Sequence, residues 1–421
     1  MQRTYILFAA FLLVSALAPV SRADQPADAF LRDLPPGLYL QSSDLIPPDQ
    51  TKAIGRKLGG DITQLTNSIL NVHGRTIQVN AITASDDAAA QAIHAAILKM
   101  KPYPYCLRTD HLVIEYVGRN IDEALAVKTS YELGFVPKPD HLRYRVVARL
   151  ATARSADYMA LNPLFNQFIA FDRGANDRTI QQIKELSKKI TFGQSLTLRN
   201  PNLASEPAAH QFTPAAAKTN AAAPIISYTF DQLPNRHGVP YVTAELEIVV
   251  DDSGLTPTNE APPKALTAAT PFWPADDPRI KALAERITEG HLTNEDKAMA
   301  ILQWLTPGKN LKYSGQTGSR WGVIKVLTQK SGHCWDFADC FVTLCRAADV
   351  PARQVAGWLY GASGHVWAEF YRQSKGWQQV DATGGGALPC GIYHIPYFTT
   401  DTGDMPILYV AMPNIEIVES K

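Results

Sequence analysis

The chain is sparing in several respects. Among its 421 residues there are five cysteines: Cys106, Cys334, Cys340, Cys345 and Cys390. That is too few for a disulfide-dense scaffold, and an odd number leaves at least one thiol unpaired within a single chain. Neither sign of charge is in excess, with 40 basic residues against 40 acidic, and no basic block occurs, so nucleic acid is not an expected partner. An acidic tail, a glycine-rich phosphate loop and a dinucleotide fingerprint are also absent. Beyond the N-terminal segment no run reaches 18 apolar residues, which excludes a later membrane-spanning helix.

What is present fits a folded protein of two or three domains: 46% hydrophobic and 19% charged residues. The segment "MQRTYILFAAFLLVSALAPVSRADQ" has one basic residue, an apolar run and small residues flanking Arg22. It reads as a signal peptide over residues 1–23, cleaved after Ala23, with an uncleaved anchor as the alternative. Export, to the periplasm or the cell exterior, is therefore expected. Cleavage would leave 38 basic residues against 40 acidic.

The expected fold class is α+β. Residues 24–203 read as an N-terminal α+β domain of unassigned role. Its strands are "RTIQVNAI", "DHLVIEYVG" and "LRYRVVARL", and a helix opens at Ser85 with Ile93, Ile97 and Met100 on one face. A helix around "TIQQIKELSKKI" and a strand around "QSLTLRN" close it. Residues 204–224 are Ala/Pro-rich and read as a linker or surface loop, and 225–272 as a β-rich connecting region with a strong strand at "VTAELEIVVDD".

The last domain, 273–421, has clear helix signals. Asp277 caps a helix whose first residue is Pro278, and Gly290 follows its end. Thr293 caps a second, with Asp296 placed to complete a capping box. "WGVIKVLTQ" reads as a short third helix. Phe337, Phe341, Leu344 and Ala348 then recur at helical spacing, predicting a helix from Cys334 to Ala347. Cys334 sits at its first turn, where free N–H groups and the positive dipole end stabilise a thiolate; Cys340 and Cys345 lie beyond that influence. "HVWAEFY" and "WQQVDA" read as two strands joined by a turn, so His365 at the start of one and Asp381 at the end of the other lie on one sheet edge. A nucleophile, a base and an orienting acid are thus available.

The run Gly-x-Cys-x-Asp-Phe-Ala, then "LCRAADVPARQVAGW", His-x-Trp-x-Glu and "WQQVDAT" resembles the transglutaminase-like domain superfamily over about residues 277–383. The resemblance implies a papain-like core, a nucleophile helix packed on an antiparallel sheet. It implies catalytic roles for Cys334, His365 and Asp381, and a structural one for Arg353. Asp381-Ala382-Thr383 stands where the family often has Asp-Pro-Thr. The activity implied is cysteine-dependent acyl transfer on peptide or protein amides through a thioester. Hydrolysis is the favoured outcome, with transamidation and an inactive scaffold as alternatives.

Other residues have local readings. Asp336 is expected to satisfy helix N–H groups. His333, one residue from Cys334, is awkwardly placed to be its base, and His394 could line the cleft. Trp335, Trp358 and Trp367 could wall it or fill the core. Cys340 or Cys345 could pair with Cys390. No cofactor and no metal are expected, since the cysteines do not show zinc-site spacing. The expected partner is a peptide or protein substrate, including cell-envelope material.

Overall fold

The computed structural model describes residues 31, 34, 38–72, 75–118, 121–153, 176–199, 210–222, 225–258, 261–314, 319–362, 364–384 and 390–420. The expected signal segment, residues 1–23, lies outside them. The architecture is mixed α+β, in two compact units that meet in sequence between Lys138 and Pro139.

The first unit is a five-stranded antiparallel sheet in the order β1-β2-β3-β5-β4. The strands are β1 (Leu38–Leu45), β2 (Ile62–Val72), β3 (Arg75–Ala84), β4 (Cys106–Thr109) and β5 (Leu112–Val117). Alternation along β5 sends Ile114 and Tyr116 into one core and Val113 into the other. Helices α1 (Pro48–Leu58) and α2 (Asp87–Leu98) pack in the core of Val113, and α3 (Glu123–Glu132) in the opposite one. The N-cap of α2 is Asp86, whose carboxylate accepts from the Ala89 N–H at 2.8 Å. Ile93 and Ile97 are buried as expected, but Met100 lies past the end of the helix and is half exposed.

The second unit begins with β6 (His141–Thr152), followed by α4 (Asp177–Ser187), β7 (Ser195–Arg199), β8 (His210–Thr213), β9 (Lys218–Ala222) and β10 (Ile225–Thr229). Next come a small hairpin, β11 (Asn235–Arg236) and β12 (Val239–Pro240), then β13 (Val242–Asp251) and β14 (Leu255–Pro257). The strand "LRYRVVARL", expected beside the N-terminal strands, pairs instead with β13 across its full length. The Ala/Pro-rich stretch is not wholly a linker: β8 pairs with β13 and β9 with β10.

The helices α5 (Pro278–Thr288), α6 (Asn294–Leu305), α7 (Val323–Gln329) and α8 (Cys334–Ala347) form one layer. Asp277 and Thr293 cap the first two as the sequence predicts. The short parallel pair β15 (Lys312–Tyr313) and β16 (Ser331–Gly332) flanks α7 in sequence. The facing sheet has the order β14-β19-β18-β17-β20, with β17 (Ala352–Leu359), β18 (Gly364–Arg372), β19 (Gly376–Val380) and β20 (His394–Thr400). Phe337, Phe341, Leu344 and Cys345 of α8 share a buried core with Ala352, Ala368, Phe370 and Val380 of the sheet. The chain closes with β21 (Ile407–Tyr409) and β22 (Asn414–Ser420), both paired with β6.

Two buried carboxylates tie this unit together. Asp339 accepts from Trp273 Nε1 at 2.8 Å, from Arg320 Nε and Nη2 at 2.7 Å each, and from Gln354 Nε2 at 2.9 Å. Glu369 accepts from Arg199 Nη1 at 2.7 Å and from Arg353 Nε at 2.5 Å. Arg353 thus has the structural place the resemblance implies. Arg199, which the sequence does not single out, joins β7 to the α8-facing sheet.

Candidate functional site

The start of α8 is fixed by a carboxylate and a glycine. Asp336 accepts from the His333 N–H at 3.0 Å and from the Trp321 N–H at 2.6 Å, so it satisfies the local donors expected of it. Gly332 leaves room for this: a Cβ there would stand 2.7 Å from that of Asp336. Trp335 Nε1 donates to Gln354 Oε1 at 3.3 Å, which connects the first turn of the helix to the Asp339 cluster.

Cys334 is therefore held at the helix N-terminus, and its Sγ meets His333 Nδ1 at 3.2 Å. The other ring nitrogen of His333 meets the Tyr313 hydroxyl at 3.1 Å. Burial pushes the Cys334 thiol up, but hydrogen bonds from His333 and then His365, with the charges of both rings, bring it down to about 6. The same contact with Cys334 raises His333 against its burial.

The sheet supplies the other groups. His365 is the second residue of β18, and Asp381 directly follows β19. His365 Nε2 donates to Asp381 Oδ2 at 2.7 Å. Burial works against the imidazolium, but the Asp381 charge and this bond outweigh it and raise His365 to about 10. Asp381 is pushed up by burial and more strongly down by the two histidines that face it, and its carboxyl lies well below the usual range. Its Oδ1 accepts from the Thr383 N–H at 2.9 Å and the Thr383 hydroxyl at 2.7 Å.

The second histidine is His394, whose Nε2 donates to Asp381 Oδ2 at 3.2 Å. Its approach follows from strand register. His365 lies opposite Gly357 of β17 on one side, and His394 opposite Leu359 on the other. Gly357 and Leu359 are two residues apart on one strand, so both histidines fall on one face of the sheet. Gly357 makes space there: a Cβ would lie 2.2 Å from the Ile395 carbonyl and 2.2 Å from the Trp367 ring. Trp367 stacks beside His365 at 6.0 Å between centroids and meets His394 edge-on at 5.2 Å. Gly357→Ala is therefore expected to displace Trp367, with a loss of about 1–3 kcal/mol by chemical denaturation and a shift in tryptophan fluorescence. Unchanged stability and emission would show that the contact is not tight.

A cavity of about 370 Å³ opens over these groups, lined among others by Tyr313, His333, Gly364, His365, Asp381 and Thr383. Among the described residues, the one group of three or more potential ligands with donor atoms within 4.8 Å of one another is His365, Asp381 and His394. This corrects the sequence expectation. The close cluster is His-Asp-His with no cysteine in it. The Cys-His-Asp triad, its thioester chemistry and the cysteine-dependent hydrolase or acyltransferase class drawn from it are set aside. The place beside Asp381 Oδ2 expected for one histidine is shared by two.

Other expectations resolve simply. All five cysteines are free and buried. Cys340 and Cys345 belong to the α8 core, whereas Cys390 packs with Val355 and Trp367, so neither forms the expected pair with Cys390. Trp358 and Trp367 are fully buried. Tyr313 and the His394–Asp381 bond were not foreseen; the glycine at 357 within a strand was the available signal for a close approach.

A sequence profile described as the transglutaminase-like superfamily matches residues 281–382. A protein-glutamine gamma-glutamyltransferase from Pseudomonas aeruginosa is 28% identical over 122 residues, covering 25% of this chain and 18% of that protein. A peptide-N(4)-(N-acetyl-beta-glucosaminyl)asparagine amidase from Drosophila melanogaster is 37% identical over 60 residues, covering 14% of this chain and 9% of its own. The chain thus spans less than a fifth of the length of these relatives. Among solved structures, the periplasmic domain of TgpA from Pseudomonas aeruginosa is 19% identical with a TM-score of 0.28, covering 45% of this chain and 72% of its own. A protein from Cytophaga hutchinsonii is 14% identical with a TM-score of 0.39, covering 67% and 91%.

Proposed function

Because the chain carries a domain of the transglutaminase-like superfamily, we propose that its cleft is an acid–base site for a carbonyl-bearing ligand, served by the His365–Asp381 pair. The observation that carries this is the buried 2.7 Å bond between them at the wall of a cavity. His365 holds its proton at neutral pH, so it is poised to donate to an oxygen or nitrogen of the ligand and to recover the proton afterwards. Asp381, fixed by Thr383, orients the ring and stabilises its charged form. Cys334 is included among the site residues as the anion that balances the two imidazoles beside it.

The names of the relatives support one ligand class. Two curated relatives are named as a protein-glutamine gamma-glutamyltransferase and a peptide asparagine amidase, which supports a peptide or protein amide as the ligand. No helix among the described residues is long and apolar enough to cross a membrane. The expected leader supports a periplasmic or extracellular setting, with cell-envelope material among the candidate ligands.

Turnover of a library of peptide amides, followed by mass spectrometry with and without a primary amine, tests the reading. His365→Gln is expected to lower the rate by about 10²–10⁴-fold. Cys334→Ser is expected to retain most of it. A loss in Cys334→Ser equal to that in His365→Gln would overturn the reading by making the thiol the reacting group.

A further inference from the structure

The cleft holds more donor atoms than a proton-transferring pair requires. Asp381 Oδ2 faces two imidazole nitrogens at once, His365 Nε2 at 2.7 Å and His394 Nε2 at 3.2 Å. The strands that carry the histidines flank β17, so the backbone, not a mobile loop, sets their separation. The carboxylate cannot turn away freely, because Thr383 engages its other oxygen twice. Trp367 packs against both rings.

Two imidazoles and one carboxylate form a donor set of intermediate softness, suited to zinc and its neighbours and poorly suited to magnesium or calcium. An ion bonded to nitrogen and oxygen at roughly 2.0–2.2 Å needs its donors about 2.9–3.4 Å apart, depending on the angle between the bonds. The two separations at Asp381 Oδ2 lie within a few tenths of an ångström of that range. Thr383 supplies the outer hydrogen bonds that hold a ligating carboxylate in place. Two of the three, His365 and Asp381, also line the cavity.

We propose that His365, Asp381 and His394 bind a borderline divalent cation of the zinc class, and that its occupancy silences the cleft. Ligation takes the Nε2 lone pairs, so the charged His365 ring loses its Nε2 proton to solvent, and the His394 Nε2 proton moves to Nδ1 or leaves to solvent. The ion then stands in place of the His365–Asp381 hydrogen bond. Silencing rests on the acid–base reading of the cleft, whereas binding does not.

The test uses the full chain, freed of metal with a chelator and titrated with zinc chloride by calorimetry, with metal content measured after dialysis. One ion per chain is expected, and none with magnesium chloride. His394→Ala is expected to weaken binding at least 10-fold, and Thr383→Val about 10–100-fold through the loosened carboxylate. Circular dichroism of each variant checks the fold, and Thr383→Val keeps the test open should His394→Ala not fold. Absence of one-to-one binding, or binding that Cys334→Ala abolishes while His394→Ala and Thr383→Val leave it intact, would overturn the site. Turnover that persists at saturating zinc would overturn the silencing. Stoichiometric zinc binding in a protein without amide turnover would leave the metal site standing and remove the acid–base reading alone.

Discussion

At pH 7, iodoacetamide is expected to modify Cys334 and to leave Cys106, Cys340, Cys345 and Cys390 unmodified. Exposure separates part of the set: Cys334 is 6% exposed, whereas Cys106, Cys340 and Cys345 are at 0%. Cys390, at 8%, is as accessible as Cys334, so protonation must decide between those two. Burial and the negative charges of Asp381 and Glu369 push the Cys390 thiol well above its ordinary value of 9.0. Cys334, despite its own burial, is drawn to about 6 by His333 and His365, so the thiolate is its main form at pH 7.

The sign of the pH dependence follows. A lowered thiol is anionic above its folded value and becomes protonated as pH falls through it. A raised histidine favours the folded state below its unfolded value of 6.5, and that contribution fades as pH rises towards its folded value. For Cys334 at about 6 and His365 at about 10, the anion and cation coexist between those limits. The alkylation rate should climb through pH 6 and flatten by about pH 7, not climb through pH 9 as for an ordinary thiol. Peptide mapping that finds Cys390 labelled as fast as Cys334, or a midpoint near 9, would remove Cys334 from the site.

The second large effect concerns stability. Glu369→Ala is expected to cost about 3–5 kcal/mol, because it leaves Arg199 buried without its counter-charge and Arg353 with only the exposed Asp401 carboxylate at 3.5 Å. Arg199 is 3% exposed and Glu369 is at 0%, so little solvent can take the carboxylate's place. Burial alone would raise the Glu369 carboxyl, yet Arg199 and Arg353 outweigh it and hold it down. The stabilisation is therefore present at neutral pH and is lost as pH falls below the ordinary glutamate range. Urea denaturation of the full chain measures it, and a loss under about 1 kcal/mol would mean that water or neighbouring groups compensate.

Local signals carried much of this fold. The Asp277-Pro278 start, the Thr293–Asp296 pair and the spacing from Phe337 to Ala348 each specify a helix through contacts within one or two turns. "HVWAEFY" and "WQQVDA" announce a hairpin for a similar reason, since a short turn fixes their register. What escaped depends on distant partners. β8 and β9 lie in Ala/Pro-rich sequence with no period of its own and are strands because β13 and β10 offer them edges. β6 has a clear strand pattern, but nothing in that pattern says which strand it joins. At the site, His365 and Asp381 sit at the ends of one hairpin and could be brought together on paper. His394 reaches the same oxygen only because β20 pairs with β17, and no spacing between residues 381 and 394 encodes that. The triad reading failed at the same level, for it counted one histidine where strand pairing delivers two.

The pairing of β21 and β22 with β6 also has a kinetic meaning. Contacts between residues 141–152 and 407–420 join the two ends of the second unit. Such distant closures come late in folding, after the loop entropy between them has been overcome. During synthesis β6 emerges more than 250 residues before β21 and β22, and one of its edges waits for them. A chain in that state has one edge of β6 open, so chaperones that hold unfolded chains should dwell on this unit longer than on the first, whose described strands meet within residues 38–117.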